Sequence, residues 1–122
     1  MAENVLRIKS KEYATDVVLL CRTLKQNRVE GILVNQFICS STSIGANVAE
    51  AEFAQGPRDF VSKLEIALKE CNESDYWLEL IYSTQGISEK DFNELHGKCV
   101  ELRRLLISSV TTVKKKDNFI QN

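Results

Sequence analysis

A chain of 122 residues with 43% hydrophobic residues, one proline and five glycines has the material for one domain with a real core, which excludes a disordered chain. Its net charge of −1 gives no global attraction to nucleic acid, and its longest purely apolar run, VVLLC at 17–21, falls far short of the ~20 residues a membrane span needs. Cys21, Cys39, Cys71 and Cys99 are too widely separated for a zinc knuckle or a disulfide scaffold and read as reduced thiols. The opening MAENVLRIKSKEY lacks the apolar centre of a secretion signal, so the expected location is cytoplasmic.

Periodicity places a first helix over 3–27, with Ala14, Val17, Cys21 and Leu24 on one face. Asn27 with Glu30 three residues on then reads as the N-cap of a second helix over 29–54. Leu33, Phe37, Ile44, Val48 and Ala51 share its core face, and no charged residue occurs from Gly31 to Ala49. A helix exposed on one side normally carries charge there, so this one is expected to be covered nearly all round. The flank opposite its core holds Thr42, Gly45, Ala46 and Ala49, small residues that permit close approach of a second copy. Such a contact would offset the ~1 kcal/mol that a helical glycine costs relative to alanine. A third stripe, Gln36, Ser43, Asn47 and Glu50, is expected to be structural, with hydrogen bonds to Lys69 or Glu70.

Gln55-Gly56-Pro57 marks the next break, a glycine stop before a proline in a first helical turn. The third helix, expected over 57–84, carries Phe60, Leu64, Ala67, Cys71, Ser74, Leu78 and Ile81 in alternating steps of four and three, the signature of a bundle seam. Trp77 beside Tyr76 reads as packing between helices or subunits. After Gln85-Gly86-Ile87, Ser88 with Asp91 caps a fourth helix over 88–114, whose seam is Phe92, Leu95, Cys99, Leu102, Leu106, Ser109 and Val113; a tail follows at 115–122. Helices of this length joined by short loops imply an all-α, antiparallel up-down-up-down four-helix bundle in a single domain.

Charge is unevenly shared: residues 1–28 and 87–122 are net +3 and +2, whereas 29–56 and 57–86 are each net −3. Such polarity can steer a head-to-tail contact between copies.

No catalytic chemistry emerges, so the chain reads as non-enzymatic, with no cofactor and no metal. A di-iron bundle needs Glu-x-x-His pairs, whereas the one histidine, His96, has Asn93 three residues before it. The hydroxyls of SSTS lie within a helix rather than on a strained turn, and SIGANVA lacks phosphate-loop spacing. The candidate phosphate contacts are Arg22, Lys25, Arg28, Arg103, Arg104, Lys114, Lys115 and Lys116, which would act together only if they lie on one face.

The run QFICSSTSIGANVAEAEFAQGPRDFVSKLEIALKECNESDYWLEL resembles the signature region of the bacterial 23S rRNA intervening-sequence protein family. The carrying pieces are Thr42 to Ala51, Asp59-Phe60, Ala67-Leu68-Lys69-Glu70 and Tyr76-Trp77-Leu78-Glu79-Leu80. The resemblance implies a bundle that assembles as a ring, a homopentamer in the known cases, with no enzymatic activity. It also implies an association with RNA or DNA, since a similar bundle serves as a nucleic-acid-binding accessory protein in diversity-generating retroelements. The expected function is therefore a non-enzymatic, ring-forming, nucleic-acid-associated or accessory scaffold; the alternative is a protein–protein interaction module with no nucleic-acid role. Where many relatives carry arginine and Ser-Gly, this chain has Cys39, Ser40 and Ser41, which removes a positive charge.

Overall fold

The structure is a computed structural model that describes residues 2–117, with side chains from Val5 onward. Four helices make up the described residues: α1 Ala2–Gln26, α2 Gly31–Ala51, α3 Pro57–Ser83 and α4 Glu89–Lys116. Close backbone approaches run α1 to α2, α2 to α3, α3 to α4 and α4 back to α1, with none across either diagonal, so the helices occupy the corners of a square. Paired side chains give their directions. Lys9 meets Glu101 while Lys98 meets Asp16, and Glu65 meets Lys114 while Asp75 meets Arg103. Glu50 meets Lys63 and Arg7 meets Glu52. Each neighbouring pair is antiparallel. Among the described residues no helix is long and apolar enough to cross a membrane.

The break between α1 and α2 differs from the expected capping box. Asn27 belongs to the last turn of α1, its amide donating to the Thr23 carbonyl at 2.9 Å. Arg28 adopts a left-handed φ of 62°, which turns the Val29 amide back to Leu24 O and its own amide back to Lys25 O. This double closure is a Schellman end. It delays the start of α2, whose N-cap Glu30 makes no side-chain capping bond. The same device ends α3: Gln85 has φ 66°, and the amides of Gly86 and Gln85 return to Ile81 O and Tyr82 O at 2.8 and 2.9 Å. The glycine there serves space rather than dihedral freedom, because a Cβ on Gly86 would lie 2.8 Å from Ile81 Cγ2 and 3.4 Å from Val29 Cγ1. Pro57 opens α3, and the Ser88 hydroxyl caps α4 by accepting from the Asp91 amide at 3.1 Å.

The buried seams follow the expected periodicity at helix centres and shift at the ends. Val61 replaces Phe60 in α3, Val110 replaces Ser109 and Val113 in α4, and Val34 replaces Leu33 in α2. A 3.6-residue turn drifts ~20° per heptad from a strict 3.5 repeat, so the last contacts rotate off the seam. In α1 the core extends through Leu6 and Tyr13, and Ala14 lies at its edge. Helix α4 continues to Lys116, so Lys115 and Lys116 are helical rather than tail; three cations in a last turn complement its negative end. Residues 118–122 of the expected tail lie outside the described residues.

Gln85→Gly should stabilise the fold by about 1 kcal/mol by relieving a side chain held at positive φ. Gly86→Ala should destabilise it, because the Ile81 side chain must move; urea denaturation of the two variants measures both.

Candidate functional site

The buried polar atoms gather at mid-height. Tyr13 of α1, fully buried, shares a 2.6 Å hydrogen bond with Ser74 Oγ of α3, which shares another of 2.7 Å with Ser41 Oγ of α2. Beneath this hydroxyl chain the thiols of Cys71 and Cys99 lie 3.4 Å apart, joining α3 to α4. All four helices therefore meet in one polar layer, with every hydroxyl in it partnered by another hydroxyl. Burial pushes the Tyr13 phenol well above its ordinary value. The hydrogen bond from Cys71, then burial, raises the Cys99 thiol. These groups are neutral, enclosed and mutually satisfied, an arrangement that fixes register.

One residue outward, Asp75 is buried and holds two side chains of α4. Its Oδ1 lies 2.9 Å from His96 Nδ1 and its Oδ2 accepts from Arg103 Nη2 at 3.1 Å. Arg103 Nε also donates to Asn72 Oδ1 at 2.9 Å, and the His96 ring stacks on Phe92. A buried carboxylate needs such partners, because stripping its water costs several kcal/mol.

This arrangement disperses the candidate phosphate contacts. Arg103 is committed to Asp75 and Lys114 to Glu65, at 2.9 Å for the latter pair. Arg22 and Lys25 are exposed at the end of α1, and Arg28 in the turn after it. Lys115 and Lys116 stand at the opposite end of the bundle, since Asp16 of α1 is level with Lys98 of α4. At 1.5 Å per residue the two groups are about 35 Å apart. Of the candidate contacts on α4, Arg104, Lys115 and Lys116 are exposed without an ion pair among the described residues.

The polar stripe of α2 does not reach Lys69 or Glu70. Ser43 Oγ donates to Cys39 O at 2.7 Å and Asn47 Nδ2 to Ser43 O at 2.9 Å, while Glu50 pairs with Lys63 and Gln36 is exposed. Short side chains within a helix find the carbonyl four residues back before they find a neighbouring helix. Glu70 is left beside Glu73, and burial, then that neighbour, raises its carboxyl. Of the small residues, Gly45 faces the chain's own α1, where a Cβ would meet Ser10 Oγ at 3.5 Å. Thr42, Ala46 and Ala49 remain at least partly exposed.

The seam positions pointed to Ser74, but Tyr13, Ser41 and Asp75 went unread. The available signals were a hydroxyl on a seam and a carboxylate beside it, facing Arg103 on the next helix. Among the described residues, no group of three or more His, Cys, Asp or Glu side chains is placed to hold a metal ion.

The model of the 23S rRNA-intervening sequence protein family matches residues 3–108. The chain belongs to this family. Among solved structures, it is similar to the crystal structure of a protein of unknown function from the S23 ribosomal protein family of Bacteroides thetaiotaomicron. The two share 42% identity at a TM-score of 0.88, over 91% of this chain and 99% of that one. No curated protein matches. The match confirms an all-α family fold, and neither comparison indicates catalysis. In this family member Ser40 and Ser41 are both buried, and Ser41 joins the hydroxyl chain.

Burial separates the thiols. Cys39 is exposed and the other three cysteines are buried, with burial holding Cys21 up to about 11. In the folded, unassociated chain a thiol reagent at pH 8 should titrate one cysteine rapidly, and Cys39→Ser should abolish that phase. A folded-state thiol raised from 9.0 to about 11 keeps its proton after the unfolded thiol has lost it. Stability should therefore fall as pH rises from about 9 to 11, by up to ~1.4 kcal/mol per unit for this group. Cys21→Ala should flatten that slope in alkaline urea titrations.

Proposed function

We propose that this chain is a non-enzymatic, cytoplasmic helical scaffold that works by associating with copies of itself through the outer flank of α2. The observation that carries this reading is the uncharged stretch from Gly31 to Ala49, whose Ile32, Asn35, Cys39 and Ala46 are exposed in the single chain. Ile32 is 70% exposed. A face that meets water throughout its working life ordinarily carries charge, and this one has none over five turns. The hydroxyl layer beneath the flank uses its polar groups for register, which leaves no reactive constellation for an enzyme. A ring, with five copies as the resemblance implies, is the assembly this reading expects.

A nucleic-acid-associated role is the second reading. It is favoured by Arg104, Lys115 and Lys116, exposed and without intramolecular partners among the described residues. Arg104 and Lys115 are eleven residues apart and so share one face of α4. A ring would multiply these few charges by copy number.

Ala46→Arg should lower the mass measured by light scattering to that of a monomer while leaving helical circular dichroism unchanged. An unchanged mass refutes the α2 flank as an interface. In a low-salt mobility-shift titration, Arg104→Glu with Lys115→Glu should lose any retention of RNA or DNA that the unaltered protein shows; no retention by the unaltered protein removes the second reading.

A further inference from the structure

Cys71 of α3 and Cys99 of α4 are both fully buried and meet at one height of the bundle. Their sulfurs are 3.4 Å apart. Cys99 Sγ also lies 3.4 Å from Cys71 O, and Cys71 Sγ lies 3.5 Å from Cys99 O. Each sulfur thus reaches the backbone of the other residue, so α3 and α4 approach closely at this level. A disulfide needs such an approach, because it tolerates only a narrow range of backbone separations. From 3.4 Å, the sulfurs must close by about 1.4 Å to reach bonding distance. Among the described residues neither Cys21 nor the exposed Cys39 has a thiol beside it.

The surroundings treat the two sulfurs differently. The hydrogen bond shared with Cys99 lowers the Cys71 thiol against its burial; Arg103 adds to the lowering and Asp75 opposes it. The same bond, then burial, raises Cys99, while the Tyr13 phenol of α1 acts on it in the opposite direction. One sulfur is therefore the readier nucleophile and its neighbour keeps its proton. A two-step thiol oxidation uses that division, with one sulfur to attack the oxidant and a second to displace the oxygen it leaves behind.

We propose that Cys71 and Cys99 are a redox pair, which a hydroperoxide oxidises within the native fold to a reversible disulfide that locks α3 to α4. The Cys71 sulfur attacks one peroxide oxygen: an S–O bond forms, the O–O bond breaks, and the departing hydroxide leaves as water with the Cys71 proton. The Cys99 sulfur then attacks the sulfenic sulfur of Cys71. An S–S bond forms, the S–O bond breaks, and the second hydroxide leaves as water with the Cys99 proton. The two sulfurs lose two electrons and the peroxide gains them. Hydrogen peroxide is uncharged and little larger than water, so a small local opening of the bundle admits it. In a reducing compartment the pair rests as thiols and links only under oxidant. The link joins residues 28 apart and ties α4 covalently to the layer that Ser74 joins to α1 and α2. A closed loop restricts the unfolded chain, so the linked form resists unfolding better.

The test treats the unaltered 122-residue chain with hydrogen peroxide under native conditions, then alkylates the remaining thiols in denaturant. Trypsin cuts after Lys69, Lys90, Lys98 and Arg103, which places Cys71 in peptide 70–90 and Cys99 in peptide 99–103. Mass spectrometry of the 13.8 kDa band from a non-reducing gel should find these two peptides joined, and dithiothreitol should separate them. Cys21, in peptide 12–22, should remain alkylated. The urea midpoint should rise on oxidation and return on reduction, and Cys99→Ser with retained helicity should show neither the linked peptide nor the rise. Any digest of the peroxide-treated chain without the linked peptide overturns the proposal. So does cross-linking that draws in Cys21 equally, since that marks reaction of the unfolded chain. A linked chain with an unchanged or lower urea midpoint overturns the lock.

Discussion

The Ser74 hydroxyl ties three helices together at one height. Through Tyr13 and Ser41 it binds α1 and α2 to α3 by hydrogen bonds that have no competing water. Apolar seams tolerate sliding by a turn at modest cost, because one aliphatic contact substitutes for another. A buried hydroxyl that loses its partner pays the full desolvation penalty of about 1–3 kcal/mol, so a slipped register is strongly disfavoured. The thiol pair brings α4 into the same layer. The positions of every outward-facing residue follow from that register.

Asp75 acts next to this layer and converts Arg103, an apparently available cation of α4, into a structural group, with His96 on its other oxygen. The charge left at the surface is sparse and divided between the two ends of the bundle. An overall charge near zero with cations about 35 Å apart makes a poor phosphate track on a single chain. What the single chain presents instead is the uncharged flank of α2, the exposed Ile8 and Leu19 of α1 and an apolar depression on α3. Surfaces of this kind are suited to protein contact.

Much of the fold was legible because its signals are local. Steps of four and three mark the seams of α3 and α4, and Gly56-Pro57 and Ser88 mark two helix starts through the chemistry of their own backbone groups. The turn at Asn27 was misread because a non-glycine residue, Arg28, takes the left-handed position that glycine usually signals. The α2 stripe was misread for a related reason: Ser43 and Asn47 have an acceptor within their own helix, and no pattern of residue types reveals which acceptor they choose.

The sequence by itself determined four helices, their antiparallel order and the absence of charge along α2, since these depend on periodicity, short loops and composition. Only the tertiary structure decided that Tyr13, Ser41 and Ser74 meet, that Asp75 occupies Arg103 and His96, and that Gly45 faces α1. Those outcomes depend on the rotation and height of each helix relative to its neighbours. A repeat read along one helix carries no information about either.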